Sequence, residues 1–128
     1  MSLEYKVNPP LENADLNTLF SSACGKPYNV DFQPELKAAL CYIAAFDANK
    51  LIGFAKLIGD AGVHAFLLDL SVDKAYQRQG IGRELVARAG QYAKEHNYEW
   101  VHVDFEDHLE PFYAACGFLA TKARLIQL

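Results

Sequence analysis

Cysteine is scarce in this chain of 128 residues, and the three present, Cys24, Cys41 and Cys116, are odd in number and far apart. That excludes a disulfide framework and a zinc motif, and it predicts buried or partly buried free thiols. No other spacing of His, Cys, Asp or Glu suggests a metal ligand set, so no metal is expected. Basic runs are also missing. With 12 Lys and Arg against 16 Asp and Glu, the net charge is −4, which argues against a nucleic-acid surface and suits a small cationic partner better than an anionic one. No stretch approaches the roughly 20 apolar residues that span a bilayer, and residues 1–10 lack the basic and apolar regions of a signal peptide. No membrane role and a cytoplasmic location are therefore expected. Repeats, linkers and low-complexity segments are absent too, and 52% hydrophobic with 22% charged residues is the composition of a globular protein. The length fits one domain, residues 1–128, with one site.

What is there reads as alternating elements. Leu16, Leu19, Phe20 and Ala23 recur at helical spacing after Asn13, a candidate cap, and Gly25 and Pro27 stop that helix. Residues 34–40 read as a short second helix with Pro34 in its first turn. Residues 41–46 and 51–58 read as an antiparallel hairpin about a turn at 47–50, and a second turn at 60–62 leads into a strand over 63–72. The clearest helix runs over 81–96, with Ile81, Leu85, Val86, Ala89, Tyr92 and Ala93 on one face and Arg83, Glu84, Gln91, Lys94 and Glu95 on the wet one. A strand at 100–105 follows, which predicts a right-handed parallel crossover. A short helix at 110–115 and a last strand from Phe118 to the C-terminus complete the chain. The expected fold is α/β in the α+β sense: antiparallel N-terminal strands, then a parallel crossover pair, in one mixed sheet flanked by helices.

The strand and helix that enclose Gln77, Arg78, Gln79, Gly80, Ile81 and Gly82 give that turn a chemical meaning. A helix start offers converging N–H donors and a positive dipole end, which suits a phosphate, and glycines let oxygen atoms approach the amides. Lys74 and Arg78 add charge nearby. Two glycines alone also fit a tight turn that binds nothing. The turn lacks the Gly-Lys-Ser/Thr of a nucleoside triphosphate loop and the third glycine of a dinucleotide fingerprint.

Residues 70–76, Leu-Ser-Val-Asp-Lys-Ala-Tyr, followed by Gln77-x-x-Gly80-x-Gly82, resemble the acetyl-CoA signature of the GCN5-related N-acetyltransferases, Gln/Arg-x-x-Gly-x-Gly/Ala. Residues 112–118, Phe-Tyr-Ala-Ala-Cys-Gly-Phe, resemble the C-terminal Tyr-x-x-x-Gly-Phe segment of the same family. Two motifs in the right order, on elements of the right type, are far more specific than either alone. The likeness is strong over residues 68–118 and rests on element order before that.

The resemblance implies acetyl transfer from acetyl-CoA to a small-molecule primary amine by direct attack. It implies main-chain contacts from Leu70, Ser71 and Val72 to the cofactor arm, and a diphosphate held by residues 77–82. An alkyl amine with a pKa near ~10.4 must lose a proton before it attacks, and the departing thiolate is helped by an acid. Tyr113 matches the family position of that acid, although a Tyr on such a helix also serves as packing. For the base, Asp69 is the first candidate, because strict alternation points it opposite to Leu68 and Leu70; a solvent-facing Asp is the plain alternative. Asp104, Glu106 and His108 are further candidates, whereas His64 and His102 read as ordinary strand residues. Many relatives carry an Asn where this chain has Asp104-Phe105-Glu106-Asp107-His108, and a carboxylate cannot donate as Asn does. The family's acceptor wall corresponds to residues 23–40, which carry Asp31 and Glu35. Many relatives form a homodimer, a state the sequence leaves open here. A CoA-binding module that senses or docks without catalysis is the other class of function this fold would allow.

Overall fold

One sheet takes its five strands in chain order: β1 (Leu3–Val7), β2 (Cys41–Asp47), β3 (Lys50–Gly59), β4 (His64–Val72) and β5 (Trp100–Val103). The computed structural model describes residues 1–128. The first three pairings are antiparallel and β4 pairs with β5 in parallel, as the hairpins and the crossover predict. The helices are α1 (Asn13–Cys24), α2 (Gln33–Ala38), α3 (Ile81–Glu95) and α4 (Glu110–Ala115).

Alternation along the strands, broken once on β3 where Ile52 is the extra residue between the Leu51–Phe46 and Gly53–Ala45 pairs, sorts the core into two layers. Ile43, Ala45, Ile52, Ala55 and Leu57 pack with Ile81, Leu85, Val86, Ala89 and Ala93 of α3. Ala44, Leu51 and Phe54 face the other way, against Leu16, Leu19 and Phe20 of α1 and against Phe32. Each fully buried Leu or Ile contributes about 1.5–3 kcal/mol, so the apolar face of α3 is what fixes it across the sheet.

Four sequence expectations need correction. Asn13 does not cap α1; its side chain accepts from the Phe32 amide (3.0 Å) and donates to Asp31 (3.0 Å), tying the start of α1 to the start of α2, while Glu12 stands at the cap. Residues 118–128 form no strand. After Gly117 the chain passes Ala123, Arg124 and Leu125 along a cleft instead of adding a ladder to the sheet. The strand expected over 100–105 ends at Val103, because its partner turns away at Asp69. Cys24 is exposed, with its sulfur 3.6 Å from the Tyr28 hydroxyl; Cys41 is buried and Cys116 half-buried, as free thiols were expected to be. β1 was not anticipated. No helix is long and apolar enough to cross a membrane.

Candidate active site

The site begins where two parallel strands part. β4 and β5 pair only from His64 with Trp100 to Leu67 with Val103. Beyond Leu67, two β4 residues, Asp69 and Leu70, stand opposite the single β3 residue Ala55, which makes a β-bulge, and Asp69 takes a left-handed φ of 58°. The bulge breaks strict alternation. Leu67, Leu70 and Val72 all belong to the α3 side of the sheet, whereas Leu68 is exposed, so Asp69 does not lie opposite to both leucines as alternation suggests. The inserted residue instead turns the Asp69 carboxylate toward Lys56, and Oδ2 lies 2.9 Å from its Nζ.

Between the separated strands lies a cavity of about 710 Å³. Asp69 and Leu70 form one wall, Asp104 and Glu106 the other, and Tyr113 reaches it from α4. The edge of β4 that would face β5 has no strand partner over residues 68–72, so its main-chain groups are free to bond an extended ligand.

The turn that follows β4 is held from several sides. Asp73 is buried; its amide donates to the Ile52 carbonyl (2.8 Å) and its Oδ1 accepts from the Ala75 amide (2.9 Å), which fixes a 3-10 turn over Lys74–Tyr76. The Tyr76 hydroxyl donates to Asp47 Oδ2 at 2.7 Å, anchoring the turn to the β2–β3 hairpin. Gln77 Nε2 donates to the Val72 carbonyl at 3.1 Å. Arg78 (φ 63°) and Gly80 (φ 85°) then take left-handed conformations, and α3 starts. None of the amides from Gln77 to Arg83 donates to an acceptor in the protein, and most of these residues are exposed. Unsatisfied donors at the positive end of a 15-residue helix are what a diphosphate requires. Gly82 packs against Phe112, whose Cζ would lie 3.5 Å from a Cβ there, so α3 and α4 meet beside the turn. The residues present therefore fit a nucleotide-bearing cofactor with an extended arm.

Tyr113 is buried among aromatic rings. It stacks on Phe105 (centroids 4.6 Å apart) and meets Phe112 and Phe118 edge-on. Its hydroxyl bonds to no protein group and is not sealed from the cavity, so it is available to a ligand. Desolvation, then the neighbouring Cys116 thiol, push the phenol above its ordinary range and keep it protonated.

Bonded to Asp69 behind the cavity wall, Lys56 is the residue that sequence reasoning missed. Its side chain is only 8% exposed, and its Nζ bonds Glu35 Oε1 of α2 (2.8 Å) as well as Asp69. Burial alone would lower the ammonium pKa; the two carboxylate bonds and charges outweigh that and hold it above its ordinary value. A lysine in the middle of an otherwise apolar strand was the available signal. Asp31 is engaged elsewhere, accepting from Asn13 and from the Gln33 amide, which depresses its pKa in that order of cause. His108 and Glu106 approach at 3.7 Å on the exposed surface. His64 and His102 bond each other at 2.8 Å across β4 and β5, at the end remote from the bulge.

The model of the Acetyltransferase (GNAT) family matches residues 13–118. Over 71 residues the chain is 37% identical to GCN5-related N-acetyltransferase 3, chloroplastic, of Arabidopsis thaliana; the match covers 55% of this chain and 30% of that protein, so the chain spans well under half of the curated relative. Among solved structures, a GNAT family acetyltransferase of Streptococcus pneumoniae is 26% identical with a TM-score of 0.81, covering 98% of each chain. An aminoglycoside acetyltransferase from an uncultured soil metagenomic sample, in complex with sisomicin, is 22% identical with a TM-score of 0.77, covering 98% of this chain and 94% of that one. At that identity the likeness concerns the fold alone.

Proposed function

Because the chain belongs to the GNAT acetyltransferase family, we propose that it transfers an acetyl group from acetyl-CoA to a primary amine of a small molecule. The observation that carries this reading is the succession of three features along β4: the Tyr113 hydroxyl at the cleft beside Asp69 and Leu70, the unpartnered edge of β4 that leads on from it, and the unpaired amides of residues 77–83 in the turn that follows. Acetyl-CoA supplies the thioester. The amides from Gln77 to Arg83, including those of Gly80, Ile81 and Gly82, bind its diphosphate, with Arg78 adding charge. The main chain of Leu70, Ser71 and Val72 lies along its arm.

The remaining chemistry belongs to side chains. The amine nitrogen forms a bond to the thioester carbonyl carbon, the carbon–sulfur bond breaks, and the sulfur takes a proton from the Tyr113 hydroxyl. Asp69, on the opposite wall, bonds the amine through the oxygen that Lys56 leaves free and receives its proton, directly or through water. A cleft whose two walls bear Asp69 on one side and Asp104 and Glu106 on the other, against the single cation Arg124, favours cationic acceptors. The aminoglycoside acetyltransferase that shares the fold was solved with sisomicin, which supports a small-molecule acceptor here.

Isothermal titration with acetyl-CoA and CoA, followed by a thiol-release screen of small amines, tests the proposal. Saturable binding and amine-dependent thiol release are expected. No CoA binding at millimolar concentration would sink it, and CoA binding without turnover on any amine would favour a sensing or docking module.

A further inference from the structure

The Glu35–Lys56–Asp69 bridge joins three elements through one buried ammonium. Lys56 rises from the middle of β3, Glu35 comes from α2, and Asp69 occupies the bulge of β4. Both carboxylates are nearly half exposed, at 45% and 44%, while the lysine side chain is not. Each carboxylate gives one oxygen to Lys56 and makes no other bond within the protein.

Stability gives little reason for a lysine here. Burying an ammonium carries a heavy desolvation cost, and an apolar side chain of similar volume often does as well or better. Orientation is a better reason. A carboxylate on a short side chain at a left-handed position rotates freely unless a partner fixes it. Lys56 removes that freedom by engaging Oδ2, which leaves Oδ1 as the unengaged oxygen of a residue that lines the cleft. Through Glu35 the same ammonium fastens α2 to the bulge.

We propose that Lys56 is a positioning residue for the amine acceptor: it fixes the free oxygen of Asp69 in the cleft and locks α2 against the bulge. The assignment rests on the acetyl-transfer reading above. It concerns the acceptor half alone, because Lys56 touches neither the turn at residues 77–83 nor Tyr113.

The experiment pairs Lys56→Met with Lys56→Arg and reads two quantities in each: KM and kcat for the best amine found in the screen, and the CoA dissociation constant by titration. In Lys56→Met the amine KM is expected to rise about tenfold, the scale of one lost charge-assisted bond, with CoA affinity unchanged. Lys56→Arg, which keeps the charge and its donors, is expected to recover most of the loss. Glu35→Ala leaves the Lys56–Asp69 pair and removes the link to α2; a smaller rise in KM is expected, and this variant carries the test should Lys56→Met not fold. An unchanged amine KM in whichever of Lys56→Met and Glu35→Ala folds would overturn the assignment. So would a parallel loss of CoA affinity, which would mean that the lysine only supports the strand. Absence of CoA binding by the unmodified protein is a separate failure, of the acetyl-transfer reading itself.

Discussion

The side-chain amide of Gln77 donates a 3.1 Å hydrogen bond to the main-chain carbonyl of Val72, five residues earlier, and so closes the loop that carries the chain from β4 into α3. The glutamine at the head of the turn thus acts first on the protein itself. It fixes the direction in which the following amides point.

Gln77→Ala is therefore expected to weaken CoA binding about five- to tenfold, corresponding to about 1 kcal/mol for one lost hydrogen bond at an exposed site. The global unfolding midpoint should hardly move, since Gln77 is exposed and lies outside the core. Gln77→Glu, which keeps the length but cannot donate and sets a negative charge beside the diphosphate, should bind CoA at least as weakly as the alanine variant in the same titration. If the glutamate variant bound CoA normally, the Val72 bond would not be what orders the turn.

The two glycines of the turn have different reasons to be glycine. Gly80 has a φ of 85°, where a Cβ costs about 1 kcal/mol or more whatever the space around it, and nothing lies within 4 Å of a Cβ built there. Gly82 is helical, and a Cβ would make ordinary contact with Phe112 at 3.5 Å. Denaturant unfolding should show Gly80→Ala destabilised by about 1 kcal/mol and Gly82→Ala equal to the parent or slightly more stable, because alanine is the better helix former by about that amount. The reverse order would contradict the turn geometry.

Tyr113→Phe is expected to lower kcat by on the order of 10²-fold, the contribution of one positioned acid, while CoA binds as before. The phenylalanine keeps the stack on Phe105, so folding is not the variable. The pH dependence follows from the raised phenol pKa. A raised value means that the neutral, proton-donating form persists above the ordinary value near ~10, so Tyr113 itself removes no activity as pH rises from 7 to about 9. An alkaline fall in kcat centred below about 9 that disappears in Tyr113→Phe would contradict this environment for the phenol.

These residues were legible in the sequence to unequal degrees, and the reason is locality. The face of α3 and the glycine turn declare themselves within a few residues, because helical spacing and left-handed φ are local properties. Tyr113 was found through a second local motif. The bulge was not legible: whether β4 carries one residue more than β3 between two paired positions depends on register, which is a property of two strands together. That is why alternation placed Asp69 by the wrong rule and why Lys56 escaped notice, its partners lying 21 and 13 positions away on other elements. The C-terminal run from Phe118 carries apolar residues suited to a strand, but no local feature states whether a neighbouring edge will receive it. β1 was missed for the same reason, as its five residues acquire strand character by pairing with β2.

Asp69 joins an unusual backbone position to a charged group, and the two contributions separate by choice of substitution. At φ 58° asparagine and glycine are the replacements that sit with little strain, while a β-branched residue is strongly disfavoured. Asp69→Asn and Asp69→Gly should therefore keep the bulge, the gap between β4 and β5, and CoA affinity, while each removes the negative charge that faces the acceptor. Asp69→Val should disturb the bulge and weaken CoA binding as well. If Asp69 receives the amine proton, kcat/KM for the amine falls in all three variants, by about 10²-fold in the first two, and CoA affinity falls only in the third. If the bulge alone matters, Asp69→Asn and Asp69→Gly turn over amine like the parent. Titration of CoA beside amine kinetics on this trio thus decides whether the carboxylate acts in proton transfer or whether the left-handed residue only opens the strands.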